Sequence, residues 1–487
     1  MKRPVLLGIL IIAVTVGHTA SGEGPAEAPR MITRQEALKA ALRNNFDIRL
    51  AKIDYLAAFT DIKYSNAIFD TFLTGGTSYS EDRRKPLSVF GSQRAQGNTY
   101  RGGVSKKLPF GTDLVASFSD NRAWSDSVYV VNNPSHTTES SVGFRQAVGK
   151  NFFGYVDRRT ISVTQLAVEN ADLAAKDRIE ASLADTEKAY LGWMFSVESL
   201  EIIKDMLGKA EELYSSAKKN FEIGRLERAD LYASEANVLS RKSEVVAAEN
   251  RVKRSAEELK FRMDMDTRSE IATNEKLAYL PVRVKLEEAL KKAFSSRRDQ
   301  MEAARIVKMM EMTVEMRANE MWPEMDLVGT MAVNGIDSSV DEAFSSMASK
   351  NNSYYYGGVE FSYPFENSLA ESRLERAGYE REAAIIALAM TERRIITEVG
   401  NAWREYATLE NVLSSIMEAA DITSRKLDEE ERMFLAGRSS TKNLIDYQRE
   451  VLSARHEVAR AVMELEKARI DLERSMNTLF DKHKESL

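Results

Sequence analysis

Few residue types in this chain of 487 residues offer chemistry. There is no cysteine, which excludes disulfides, thiolate metal sites, cysteine nucleophiles and a lipid-bearing cysteine. The four histidines, His18, His136, His456 and His483, are scattered, and His456 has no acidic or histidine partner four residues on. No zinc pattern, nucleophile elbow or phosphate loop is present. Met309, Met310, Met312, Met316, Met321 and Met325 carry thioethers, which can hold a soft cation. Three of them, Met309, Met312 and Met316, share one helical face, and methionine fills irregular packing gaps. They are read as packing residues. Paired acids such as Glu257-Glu258 read as a solvated helix face. The expectation is therefore no enzyme, no cofactor and no metal. The formal net charge of −6 makes nucleic acid a poor partner.

What does recur is a turn. FEIGRLERADLYASEANVLS begins at Phe221, and FLAGRSSTKNLIDYQREVLS begins at Phe434. Aligning Phe221–Met263 with Phe434–Met476 leaves 12 of 43 positions identical without a gap, Gly224/Gly437 and Arg225/Arg438 among them. Upstream, EALKAAL from Glu36 matches EALKKAF from Glu288. These matches predict two tandem repeats, 23–263 and 284–479, joined by a linker at 264–283. The first repeat is 39 residues longer between its head and its glycine.

The elements that position these turns follow from proline and periodicity. No proline lies between Pro134 and Pro281 or after Pro364, and both zones are rich in helix formers. Ile179, Leu183, Tyr190, Met194, Val197 and Leu200 recur at helical spacing. Helical hairpins are expected over 160–263 and 368–479, each turning at its glycine, which tolerates positive φ. Ser440 or Thr441 can cap the helix after the second turn, and Glu227 more weakly the helix after the first. Head helices are expected over 33–67 and 284–320. Between heads and hairpins the texture becomes Ser, Thr, Gly and aromatics with period-two alternation, as in Val115-Ala116-Ser117-Phe118-Ser119. Such segments, about 70–150 and 325–365, suit outer-membrane barrel strands with long outer loops. The 39-residue excess is most simply a hairpin over Thr99–Asp120 turning at Pro109-Phe110-Gly111-Thr112, either in the barrel or outside it.

Lys2 and Arg3, the apolar run from Val5 to Val14 and small residues at Ala20-Ser21-Gly22 read as a signal peptide, 1–22, removed on export. No later stretch approaches the roughly 20 apolar residues of a spanning helix. Four to six strands per chain cannot close a membrane barrel, so copies must share one.

In this order the motifs resemble the TolC family of outer-membrane efflux channels. The marks are the doubled Glu-Ala-Leu head, the doubled glycine turn followed by Asp230-Leu231 and Asn443-Leu444, and Tyr363-Pro364-Phe365 at a strand-to-helix junction. Gln146 fits the first-repeat counterpart of that junction, but Ala147-Val148 stands where the family has Pro-Leu.

The resemblance implies an α+β membrane protein. Three chains share one outer-membrane β-barrel, and a long α-helical coiled-coil tunnel continues it into the periplasm. It implies a passive homotrimeric channel in outer-membrane lipid, serving a tripartite efflux or type I secretion assembly. A periplasmic adaptor (membrane fusion) protein and an inner-membrane pump complete that assembly. It places the periplasmic gate at the hairpin tips, at Gly224, Arg225, Asp230, Phe434, Gly437, Arg438 and Ser439. Asp230 holds the family's acidic gate position. Its usual arginine partner is replaced by Ser439 with Arg438 one residue earlier, and the usual tyrosine by Phe434. Arg225 and Arg438 are the candidate partners, against the plain alternative of a solvated charge at a helix end. The pore selectivity ring falls on Asn443 and Asp446, so only Asp446 can supply charge to it. The rival function is a pore-free periplasmic coiled-coil tether or scaffold.

Overall fold

Thr33 starts the first helix by a reciprocal cap: its hydroxyl accepts from the Glu36 N–H, and the Glu36 carboxylate accepts from the Thr33 N–H. The helix ends where Asn45 takes ψ 131° and turns its own side chain to cap the next one, accepting from the N–H groups of Asp47 and Ile48. The head expected as a single helix over 33–67 is therefore two helices. The head over 284–320 breaks likewise, at Arg297 with ψ 117°.

The computed structural model describes residues 29–85, 91–279, 281, 283–349, 352–436 and 438–484. The expected signal peptide lies outside them. In chain order the elements are β1 (Arg30–Met31), α1 (Arg34–Asn44), α2 (Phe46–Asn66), β2 (Thr71–Asp82), β3 (Ala95–Lys107), β4 (Thr112–Ser125) and β5 (Ser135–Ala147). There follow α3 (Tyr155–Glu222), α4 (Arg228–Met263), β6 (Ile271–Ala272), α5 (Leu286–Ser296), α6 (Arg298–Glu320), β7 (Glu324–Asp337), α7 (Val340–Ala348) and β8 (Ser353–Ser362). The chain closes with α8 (Ser368–Leu435), α9 (Thr441–Ser475) and α10 (Leu479–Lys484).

The 68 residues of α3 and the 68 of α8 make rods of about 100 Å each at 1.5 Å per residue. Each returns as a shorter antiparallel partner, α4 or α9. Toward the turns, one apolar core joins the two hairpins: Met206 and Leu213 of α3, Ala248 of α4, Leu427 of α8, and Leu444 and Val451 of α9. Further from the turns, Tyr190 and Trp193 pack edge to face among Ile32, Leu259 and Met263. The Tyr190 hydroxyl lies 3.1 Å from the Ile32 carbonyl and 2.7 Å from the Glu275 carboxylate. It fastens the parallel β1–β6 pair onto the rods.

Charges also cross this interior. Arg469 of α9, 3% exposed, donates to Glu466 at 3.0 Å, Glu473 at 2.7 Å and Glu187 of α3 at 3.3 Å. Arg34 of α1 bridges Glu187 and Glu466 from the other side. Buried charge is tolerated only when paired in this way.

A second helix layer runs α2, α3, α6, α8, each packed on the next. All four join the sheet directly: α2 leads into β2, β5 into α3, α6 into β7, and β8 into α8. The sheet has the order β2-β3-β4-β5-β7-β8 and is antiparallel throughout. Its outermost strands, β2 and β8, have one edge each without a partner among the described residues. The short helix α7 lies on the sheet where β7 has Gly335. A Cβ there would sit 1.9 Å from the Ala343 carbonyl oxygen, so the close approach requires glycine.

Candidate functional site

At the far end of the first rod the helix unwinds by a glycine turn. Gly224 has φ +76°, the Arg225 N–H donates to the Asn220 carbonyl at 2.8 Å, and the Gly224 N–H to Phe221 at 2.9 Å. This returns the last carbonyls of α3 to hydrogen bonding. At the second turn, the Arg438 N–H donates to the Met433 carbonyl at 2.8 Å, the same five-residue reach. Gly437 itself lies outside the described residues. Ser440 caps α9, its hydroxyl accepting from the Asn443 N–H at 3.2 Å, whereas Glu227 precedes α4 without a side-chain cap bond.

Around these turns Asp230 is half-buried, while Arg225, Arg438 and Asn443 are exposed. No ion pair among the described residues joins Asp230 to Arg225 or Arg438 within one chain. Phe434 turns inward and packs on the apolar core shared by the hairpins. Ser439 donates to Glu430, a carboxylate on α8 that is only 5% exposed. Asp446 faces Arg449 one turn along its own helix at 3.3 Å. Arg228 stacks over the Phe221 ring, 5.9 Å from its centroid. Glu430, Arg449 and Arg228 were not legible as tip residues. Arg449 was within reach of the i,i+3 rule, but the Ser439–Glu430 contact depends on how the turn folds.

The other end of the molecule is the sheet, and its register sorts side chains onto two faces. One row crosses all six strands as Leu73, Val104, Ala116, Val142, Met331 and Tyr355, every one exposed. The neighbouring row, on the opposite face, reads Thr74, Gly103, Ser117, Ser141, Ala332 and Tyr354. Arg101 and Glu139 share this second face, and so does an ion-pair cluster in which Arg145 meets Asp326 and Glu360, both at 2.7 Å. One apolar face backed by a polar, charged face is the pattern of a barrel wall between lipid and water.

Comparison with solved structures identifies the architecture. The chain is similar to the outer-membrane channel OprN, with a TM-score of 0.69 at 15% identity over 96% of this chain and 98% of that one. It is also similar to the Campylobacter jejuni CmeC outer membrane channel, with a TM-score of 0.65 at 13% identity over 98% and 97% of the two chains. The Neisseria gonorrhoeae MtrE outer membrane channel, in its open state, gives 0.66 at 15% identity over 92% and 89%. No protein-family model and no curated protein matches the sequence. At this level of identity the likeness is one of fold.

Proposed function

We propose that this chain, built on the fold of those outer-membrane channels, is one subunit of a passive export channel. Its strands would lie in the outer membrane and its rods in the periplasm. One observation carries the reading: the molecule has two unpartnered sides of different composition. On one side β2 leaves an open edge, and the adjoining α2 exposes Phe46, Leu50, Ile53, Leu56 and Phe59 at spacings of three and four. On the other, β8 leaves the second open edge, and the adjoining α8 exposes Tyr379, Ile386 and Met390 at spacings of seven and four. Open edges are costly in lipid, where no water pairs the backbone. The two sides differ, so copies join head to tail, and such contacts close into a ring where the rotation from copy to copy closes. Three copies is the number the family resemblance implies, with the two sequence repeats of each chain contributing equivalent hairpins. A pore-free tether has no use for strands with one apolar and one polar face.

In this reading the turns at Gly224 and Gly437 form the periplasmic gate, with Arg225, Asp230, Phe434, Arg438 and Ser439 around it. Asp230 meets an arginine of a neighbouring copy, which accounts for its forming no ion pair among the described residues of its own chain. Asn443 and Asp446 line the narrow ring, and charged rings set pore selectivity. A periplasmic adaptor engages the tips, and an inner-membrane pump supplies energy and selects the substrate. The test is single-channel conductance in a planar bilayer, wild type beside Asp230→Ala. Small cation-preferring openings that grow in the variant support both channel and gate. Openings of unchanged size remove Asp230 from the gate, and no conductance from inserted protein removes the channel.

A further inference from the structure

The sequence leaves the place of the extra first-repeat hairpin open, and family resemblance argues for a wall without it. The structure puts it in the middle of the sheet. The hairpin β3–β4 turns at Leu108–Gly111, where Gly111 has φ +76° and the Leu108 N–H donates to the Thr112 carbonyl at 2.8 Å. Its two strands run 13 and 14 residues. They pair along their length with β2 on one side and β5 on the other, from Thr71↔Lys106 to Asp82↔Ala95 and from Thr112↔Gln146 to Ala123↔Ser135. Among the described residues the hairpin is the sole link between β2 and the rest of the sheet. A wall that omitted it would have to break every one of these pairings and re-pair β2 with β5.

The side chains of the hairpin also have the division a wall requires. On one face Val104, Leu114, Ala116 and Phe118 continue the apolar band of β2 and β5. On the other, Arg101, Ser105, Ser117, Ser119 and Asn121, with Val115 the apolar exception, continue the polar one. A hairpin lying in water outside the barrel has no reason to keep an apolar row in register with its neighbours. At about 3.3 Å per residue, each strand spans roughly 43–46 Å, more than a tilted crossing of the hydrocarbon core needs.

We infer that all six strands of each chain are wall strands and that, given the three-chain channel proposed above, the barrel has eighteen. The β2 edge of one copy pairs with the β8 edge of the next. With strands about 4.8 Å apart and tilted near 40°, eighteen give a circumference of about 113 Å and a backbone diameter of about 36 Å, against about 24 Å for twelve. The helix layer below agrees in size. Four helices per chain, twelve in all at 8–10 Å spacing, span about 96–120 Å around. Barrel and tube therefore meet without a step, and the exit accommodates cargo wider than a twelve-stranded wall passes. Any narrowing is left to the hairpin tips.

The cysteine-free chain allows a direct test. Single cysteines are placed at Val104 and Ala116 on the apolar face and at Ser105 and Ser117 on the polar face, in the full-length protein reconstituted in liposomes. Val142→Cys and Met331→Cys on β5 and β7 serve as references. Each is challenged with a charged maleimide, and separately labelled with a small neutral fluorophore and tested for quenching by brominated lipid. Eighteen strands predict that positions 105 and 117 react with the charged reagent. They also predict that 104 and 116 resist it and are quenched like 142 and 331. If 104, 105, 116 and 117 all react with the charged reagent without quenching while 142 and 331 stay lipid-facing, the hairpin is outside the wall. That outcome overturns the inference and leaves the channel reading intact. If 142 and 331 also fail to meet lipid, the channel reading falls as well.

Discussion

Two arginines on α9 each pair with an acid three residues before them, and burial alone should separate their worth. Arg469 meets Glu466 with side chains 3% and 1% exposed, while Arg449 meets Asp446 with 66% and 45% exposed. Replacing Arg449 by Met removes a solvent-screened pair, with an expected effect of about 0–1 kcal/mol. Replacing Arg469 by Met keeps an adaptable apolar side chain in place but removes the buried guanidinium that pairs with Glu187, Glu466 and Glu473. Breaking a buried pair from one side costs about 3–5 kcal/mol. A chain of this length need not unfold in one step, so the readout is amide exchange along α9. At about 1.4 kcal/mol per decade, Arg469→Met should speed exchange near its site roughly two to four orders of magnitude, and Arg449→Met by about fivefold at most. Adding Glu466→Gln to Arg469→Met should recover part of the loss. Burial alone would raise the Glu473 carboxyl, but Arg469 and Lys482 outweigh it and hold it below its usual 4.5. Its contribution is therefore present above 4.5 and lost as pH falls through the lowered value, so the gap between wild type and Arg469→Met narrows in acid. Equal, small effects from the two arginine replacements would refute the argument.

Three further outcomes are expected. Gly224→Ala meets nothing within 4 Å, so its cost is the left-handed backbone alone, about 1–2 kcal/mol; exchange should rise at the turn amides and stay unchanged at mid-rod. Tyr190→Phe keeps the ring on Trp193 but removes the hydroxyl that serves Ile32 and Glu275. About 1–3 kcal/mol of lost protection at the Ile32 amide is the expected sign of that loss. His456 is half-buried beside Ser199, and burial, then Arg251 and Arg460, push its pKa below 6.5. The unfolded chain thus binds the proton more readily, so this contribution is intact above pH 6.5 and lost as pH falls toward the lowered value. His456→Gln should flatten the acid-side decline in thermal stability, and an unaltered pH profile would count against the assignment.

How much of this was legible in the sequence depended on range. Local signals read well: Ser440 caps α9 because a hydroxyl before a helix finds a free N–H, and Gly224 takes positive φ because little else does so cheaply. Alternation in Val115–Ser119 marked strand β4 because successive side chains of a strand point to opposite faces. The break at Asn45 was missed, since asparagine within a periodic run reads equally as an interior residue. The helix α7 was missed because its nine residues give a weak periodic signal inside a polar segment. The ion pairs of Arg469 and Arg34 with Glu187 join residues 282 and 153 positions apart, and no local pattern announces them. At the tips, the family resemblance named Asp230, Arg225 and Arg438 as candidates, and no ion pair among the described residues joins them within one chain.

The central claim, that the chain's two open sides are completed by other copies of itself in a membrane, is tested most directly by native mass spectrometry. The sample is protein released from outer membranes in detergent. The account predicts a particle of three chains that falls to one on heating. A single chain in detergent before heating, or a protein that leaves the cells without detergent, would contradict it.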